Sequence, residues 1–182
     1  HTFLSAEVVF SRLAPLFLPQ KRVQDNVRVS WQTPGEDEIA LCALSLCSTL
    51  MEGVFMGRRA HYGRYRTFQQ ASQHEIAVWK EALKMFLKKL TWKYRRPMIL
   101  KSPQHTCRIK LLLEMFPTAK FVHIQRNPYD VFLSTRRTFQ DILPYRILQH
   151  DVIEDLDELL IRRYQETYQA FFEQKHIIPD HN

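Results

Sequence analysis

The hydrophobic period of this chain changes at Pro97, and that change constrains the fold more than any other feature. Before it, Ile76, Trp79, Leu83, Phe86, Leu87 and Leu90 recur at helical spacing along a stretch from about Ser72 to Tyr94, with lysines on the other side. After it the apolar residues come in two short runs, Pro97 to Lys101 and Lys120 to Ile124. Between these, Ile109, Leu112, Leu113 and Phe116 again space as a helix. The pattern predicts strand, helix, strand, a unit that closes as a right-handed parallel crossover.

The rest of the chain reads as helices with one break. Phe3 to Leu18 places Val8, Val9, Leu13, Leu16 and Phe17 on one side of a helix ended near Pro19. Thr33, Pro34 and Glu36 have capping-box spacing, so a helix is predicted from there to about Phe55. Gly57 to Arg66 is basic and aromatic without a helical period, and reads as a loop. Asn127 and Pro128 suit the cap and first position of a helix carrying Val131 to Phe139. A final helix is expected from about Asp151 to Lys175. No internal repeat or low-complexity linker interrupts the chain.

With 182 residues, 45% of them hydrophobic, the chain holds one domain's worth of core-forming material. A formal charge of +7 favours polyanionic partners: nucleotides, phosphate esters, nucleic acid or an anionic membrane surface. Four glycines make glycine-rich loops scarce. Cys42, Cys47 and Cys107 lack the count and spacing of a disulfide framework or zinc site, and read as buried thiols. No run approaches the roughly 18 apolar residues of a membrane-spanning helix. The chain opens at His1 without a methionine and closes on a loop-like Ile178 to Asn182, so it is expected to be a piece of a longer protein.

The segment Ile124 to Ser134 carries the chemistry. Arg126 falls at the carboxyl end of the second run, where open α/β sheets bind ligands, and Ser134 follows about two turns into the next helix. A permanently charged donor fork and a neutral hydroxyl make a phosphate clamp. The plainer alternative is a surface ion pair between Arg126 and Asp130 with a solvated serine.

Arg126, Asn127, Asp130, Val131 and Ser134 together resemble the 3′-phosphate-binding signature of sulfotransferases that use 3′-phosphoadenosine-5′-phosphosulfate. Leu100 to His105, Phe116 to Phe121, and Pro34 to Glu38 are similar to the family's bacterial-type branch. The resemblance implies an α/β fold of P-loop nucleotide-transferase type, a parallel-sheet core with a large helical insertion, truncated at both ends. It implies a single partial domain over 1–182, with a mainly helical segment at 1–96 and a nucleotide-binding core plus C-terminal helix at 97–182. Arg126 and Ser134 then hold the nucleotide's 3′-phosphate, and Lys101 stabilises charge on the leaving phosphate.

By the same resemblance His105 is a candidate general base. In the cytosolic branch, however, the histidine follows the lysine by two residues, and His105 follows Lys101 by four. Glu36, Asp37 and Glu38 therefore stand as alternative bases beside their plainer reading as cap and first-turn acids. Lys101 has a solvated strand end as its own plain alternative. The family's loop for the 5′-phosphosulfate, rich in small residues, is not visible, so this chain is expected not to turn over unaided.

The expected activity is sulfuryl transfer to a hydroxyl or amine, with the phosphosulfate nucleotide as co-substrate and no metal. Unidentified partners include a small-molecule, carbohydrate or peptide acceptor, without nucleic acid or a membrane segment, and the expected location is cytoplasmic. The alternatives are an ATP-dependent kinase-like phosphotransferase and a basic nucleotide- or nucleic-acid-binding module. Arg58 to Arg66 reads as a solvated basic loop or as an acceptor contact. His123 reads as a core histidine, and Trp79, Phe86, Phe171 and Phe172 read as core.

Overall fold

The computed structural model describes residues 7–17, 21, 28, 34–148 and 155–179. Among them lie seven α-helices: α1 (Glu7–Phe17), α2 (Asp37–Ser45), α3 (Arg59–Gly63), α4 (Gln73–Tyr94), α5 (Ile109–Met115), α6 (Pro128–Arg146) and α7 (Leu156–Gln174). Short 3₁₀ turns at Thr49–Gly53, Met56–Arg58, Pro103–Cys107 and Lys175–Ile177 lie between or after them. No helix among the described residues is long and apolar enough to cross a membrane.

The expected parallel sheet is absent from the described residues, whose one isolated pairing is an antiparallel bridge between Lys21 and Arg28. The α/β, P-loop-like class is therefore corrected to a helical assembly. The physical reason lies in the two short runs. Parallel strands are covered on both faces, whereas Ile99, Val122 and Ile124 are 97, 90 and 70% exposed. No backbone hydrogen bond links residues 97–101 to 120–126. Apolar composition selected strands; without a partner ladder the segments run as irregular chain.

The helix α4 forms as its sequence predicts. Ser72 Oγ accepts from Glu75 N at 3.3 Å while Glu75 Oε2 accepts from Ser72 N at 2.8 Å, a complete capping box. Its face of Trp79, Ala82, Leu83 and Phe86 is buried, and most of it joins Leu41, Cys47, Tyr65, Phe68 and Leu112 in one core. Phe68 sits in the left-handed region at φ 61°, which costs a non-glycine residue about 1–2 kcal/mol. Its ring is 2% exposed and packs on Trp79, a burial that offsets this cost.

Two other expectations change. The helix predicted from Thr33 to Phe55 starts at Asp37 and stops at Ser45, with Leu46 left-handed at φ 58°; Thr33 lies outside the described residues. Serine hydroxyls divert the backbone there: Ser45 Oγ donates to Leu41 O at 2.7 Å and accepts from Cys47 N at 3.1 Å. Gly57 to Arg66 forms a 3₁₀ turn and α3 rather than a loop, because Met56 and Tyr65 are buried at its two ends. The start of the first predicted helix and residues 151–154 of the last lie outside the described residues. Cys47 and Cys107 are buried and Cys42 half-buried, all three free, with burial raising each thiol's pKa.

Tyr65 Oη donates to Glu75 Oε1 at 2.7 Å. That bond, with the cap contacts, holds Glu75 down to about 2 from an ordinary 4.5. A carboxylate with a depressed folded-state pKa contributes stability that is present above its unfolded pKa and lost as pH falls through the folded one. Thermal melts across pH should therefore show Glu75→Gln flattening the acid limb between about 4.5 and 2. An unchanged acid limb would show that the bond does not hold the cap.

Candidate functional site

Three successive acids open α2: Glu36 as N-cap, then Asp37 and Glu38 in the first turn. A helix N-terminus favours negative charge there. Opposite them, around the 3₁₀ turn Pro103–Cys107, stand Lys101, His105 and Arg108. The pairing runs in chain order: Glu36 with Lys101, Asp37 with His105, Glu38 with Arg108. Side-chain exposure of acid and base falls along the series from 33 and 71%, through 3 and 13%, to 0 and 0%. The innermost pair is thus a structural lock, and the outermost meets solvent.

The lock is fully bonded. Arg108 donates to both Glu38 carboxylate oxygens at 2.6 and 3.2 Å, to Tyr65 O at 2.7 Å and to Arg66 O at 3.2 Å. Ser48 Oγ donates to Glu38 Oε1 at 2.7 Å, and the guanidinium lies 5.0 Å from the Phe68 ring centre and 5.3 Å from that of Trp79. In the middle pair, His105 Nε2 and Asp37 Oδ2 are 2.7 Å apart.

Lys101, His105 and Arg126 line one open groove of about 2060 Å³, with Met98, Leu100, Phe121, Ile124 and Phe132 among its apolar walls. That volume exceeds the roughly 300–1,000 Å³ of ordinary ligand pockets. Arg126 is exposed, and no hydrogen bond or ion pair joins it to any described residue, Asp130 included. Asn127 Oδ1 accepts from Tyr129 N at 2.9 Å and so caps α6, whose first residue is Pro128. Ser134 is exposed on α6 and does not line the groove. It shares the i, i+3, i+7 stripe of Asn127 and Asp130, whereas Val131, Thr135 and Thr138 form the groove-facing stripe.

Sequence reasoning missed Arg108 and a second buried ionic group. Glu52 pairs with Arg66 at 2.8 Å and with Arg163, and Arg66 reaches Glu166 at 3.3 Å. Burial lowers the pKa of Arg163, a shift that the Glu52 charge opposes. By sequence Arg66 belongs to a solvated basic loop, and nothing local marks it otherwise. The bases at 101, 105 and 108 did carry a signal: offsets of four and seven residues opposite an acidic triplet. His123 is exposed and stacks on Phe171 at 4.3 Å, so it is no core histidine, and Phe172 is 54% exposed.

The sulfotransferase family's sequence profile matches residues 22–182. The chain belongs to the sulfotransferase family. Within that family, this sulfotransferase chain is 33% identical over 178 residues to the omega-hydroxy-beta-dihydromenaquinone-9 sulfotransferase Stf3 of Mycobacterium bovis, covering 98% of the chain and 46% of the relative. The Stf3 of Mycobacterium tuberculosis gives the same identity and coverage. The chain thus spans about half the length of the curated relatives it matches. No solved structure matches it.

Removing one partner of a buried ion pair leaves an uncompensated charge, at a cost of about 3–5 kcal/mol, whereas replacing both with apolar groups is often near neutral. Denaturant unfolding of this sulfotransferase chain should show Arg108→Met losing stability in that range and Glu38→Leu/Arg108→Met recovering most of it. Equal losses in the single and double variants would contradict the lock.

Proposed function

We propose that the intact protein transfers a sulfuryl group from 3′-phosphoadenosine-5′-phosphosulfate to a hydroxyl carried by a largely apolar acceptor. One observation carries the reading: Lys101, His105 and Arg126, which has no partner among the described residues, line the same groove. The phosphosulfate nucleotide fits these residues, since an exposed guanidinium without a partner among the described residues is available to a phosphate and the Lys101 side chain is 71% exposed. When bound, the phosphosulfate nucleotide supplies the activated sulfuryl group, and its 5′-phosphate is the leaving group.

In this reading Arg126 holds the 3′-phosphate from within the groove, and Ser134, exposed on α6 outside it, is not needed for the assignment. Lys101 turns from Glu36 to meet the negative charge that grows on the leaving phosphate. His105 takes the acceptor's hydroxyl proton. The apolar walls favour an acceptor that buries hydrocarbon surface. The relatives' name supports this class, since it specifies a hydroxylated menaquinone derivative as their acceptor.

Calorimetry on the intact protein tests the nucleotide assignment. Arg126→Ala should weaken adenosine 3′,5′-bisphosphate by about 1.5–3 kcal/mol, the range for a hydrogen bond to a charged group. Adenosine 5′-monophosphate, which lacks the 3′-phosphate, should bind as before. Equal losses for the two nucleotides would remove the assignment.

A further inference from the structure

We infer that Asp37 is a positioning residue for His105, fixing the imidazole as the tautomer with its proton on Nε2 and its lone pair on Nδ1. The inference rests on the proposed role of His105 as base. Four observations carry it. Asp37 lies 2.7 Å from Nε2 with a side chain only 3% exposed, so it cannot itself meet a substrate. His105 is among the residues that line the groove. Its Nδ1 is closed to solvent and hydrogen-bonded to nothing among the described residues. The flanking charges are already committed, Glu36 to Lys101 and Glu38 to Arg108.

An ionised carboxylate only accepts hydrogen bonds, so beside Asp37 the imidazole must present Nε2–H. The remaining lone pair then belongs to Nδ1. A buried nitrogen without a donor is an unfavourable arrangement, and because Nδ1 is closed to solvent in the free protein, an acceptor hydroxyl relieves it only after acceptor binding has shifted the groups that cover this nitrogen. As the acceptor oxygen forms its bond to sulfur, the sulfur–oxygen bond to the phosphate breaks and its electron pair leaves with the phosphate. The hydroxyl proton passes to Nδ1, and the Asp37 carboxylate stabilises the imidazolium that results.

The other acids at this end of α2 do not serve as well. Glu38 is fully buried on Arg108, and Glu36 pairs with Lys101 whereas Asp37 is the acid that His105 meets. An aspartate behind a histidine also explains why a residue four positions after the lysine can act, since its orientation comes from α2 rather than from its own turn.

Two readouts on the intact protein test this. In long-range proton–nitrogen spectra of histidine-labelled protein, His105 should show a protonated Nε2 and a bare Nδ1, and Asp37→Asn should abolish that preference. In turnover, Asp37→Asn should lower kcat about 100-fold or more, the scale of general-base catalysis, with the donor KM little changed. Introduced into His105→Ala, it should cost nothing further. A proton on Nδ1 in the wild type would overturn the inference. So would an independent loss in the double variant, which marks a purely structural role. If the wild type transfers no sulfuryl group the proposed function fails, and the tautomer still decides the pairing.

Discussion

Everything near the groove depends on the register of three acids against three bases. The chain from Glu36 to Glu38 contributes three successive carboxylates at the start of α2, and Lys101, His105 and Arg108 meet them from around one 3₁₀ turn. Only the Glu38–Arg108 pair is wholly removed from water. Desolvating two charges is expensive, and the arrangement stands because Arg108 also satisfies two backbone carbonyls and lies over two aromatic rings. With that end fixed, the two outer pairs follow along the same short segments. Charge is thereby carried from the core to the groove without an unpaired ion in between.

The same lock ties distant segments together. Arg108 bonds to the carbonyls of Tyr65 and Arg66, the side chain of Arg66 pairs with Glu52, and Glu52 pairs with Arg163 on α7. Helices that belong to different parts of the sequence are thus linked through alternating charges, while Trp79, Leu83 and Phe68 supply the apolar packing. On this frame the groove places a cationic and basic set, Lys101, His105 and Arg126, beside apolar walls. Such a combination suits an anionic donor and a hydrocarbon-rich acceptor meeting in one site.

Local chemistry was readable and pairing was not. The amphipathic spacing of α4, its buried Trp79 face and the Asn127–Pro128 start of α6 follow from propensity and spacing, whereas the capping box expected at Thr33 to Glu36 gives way to one at Ser72 and Glu75 that was not expected. The parallel sheet failed because apolar runs at 97–101 and 120–124 specify a strand only when neighbours complete the ladder, which the described residues do not provide. Lys101, His105 and Arg126 were identified by type and motif, and they line one groove; Ser134 points elsewhere on α6. The acids at Glu36 to Glu38 are legible as cap residues and candidate bases. Which base each one faces is a long-range fact that no local window contains.

Sulfuryl transfer itself is the central claim, and labelled donor tests it most directly. Intact protein should be incubated with 3′-phosphoadenosine-5′-phosphosulfate carrying radioactive sulfur and an apolar alcohol or hydroxylated quinone. The account predicts label in the acceptor, matched mole for mole by adenosine 3′,5′-bisphosphate and dependent on the acceptor. Label that stays with the nucleotide, alongside phosphoryl transfer from ATP to the same acceptor, would contradict it.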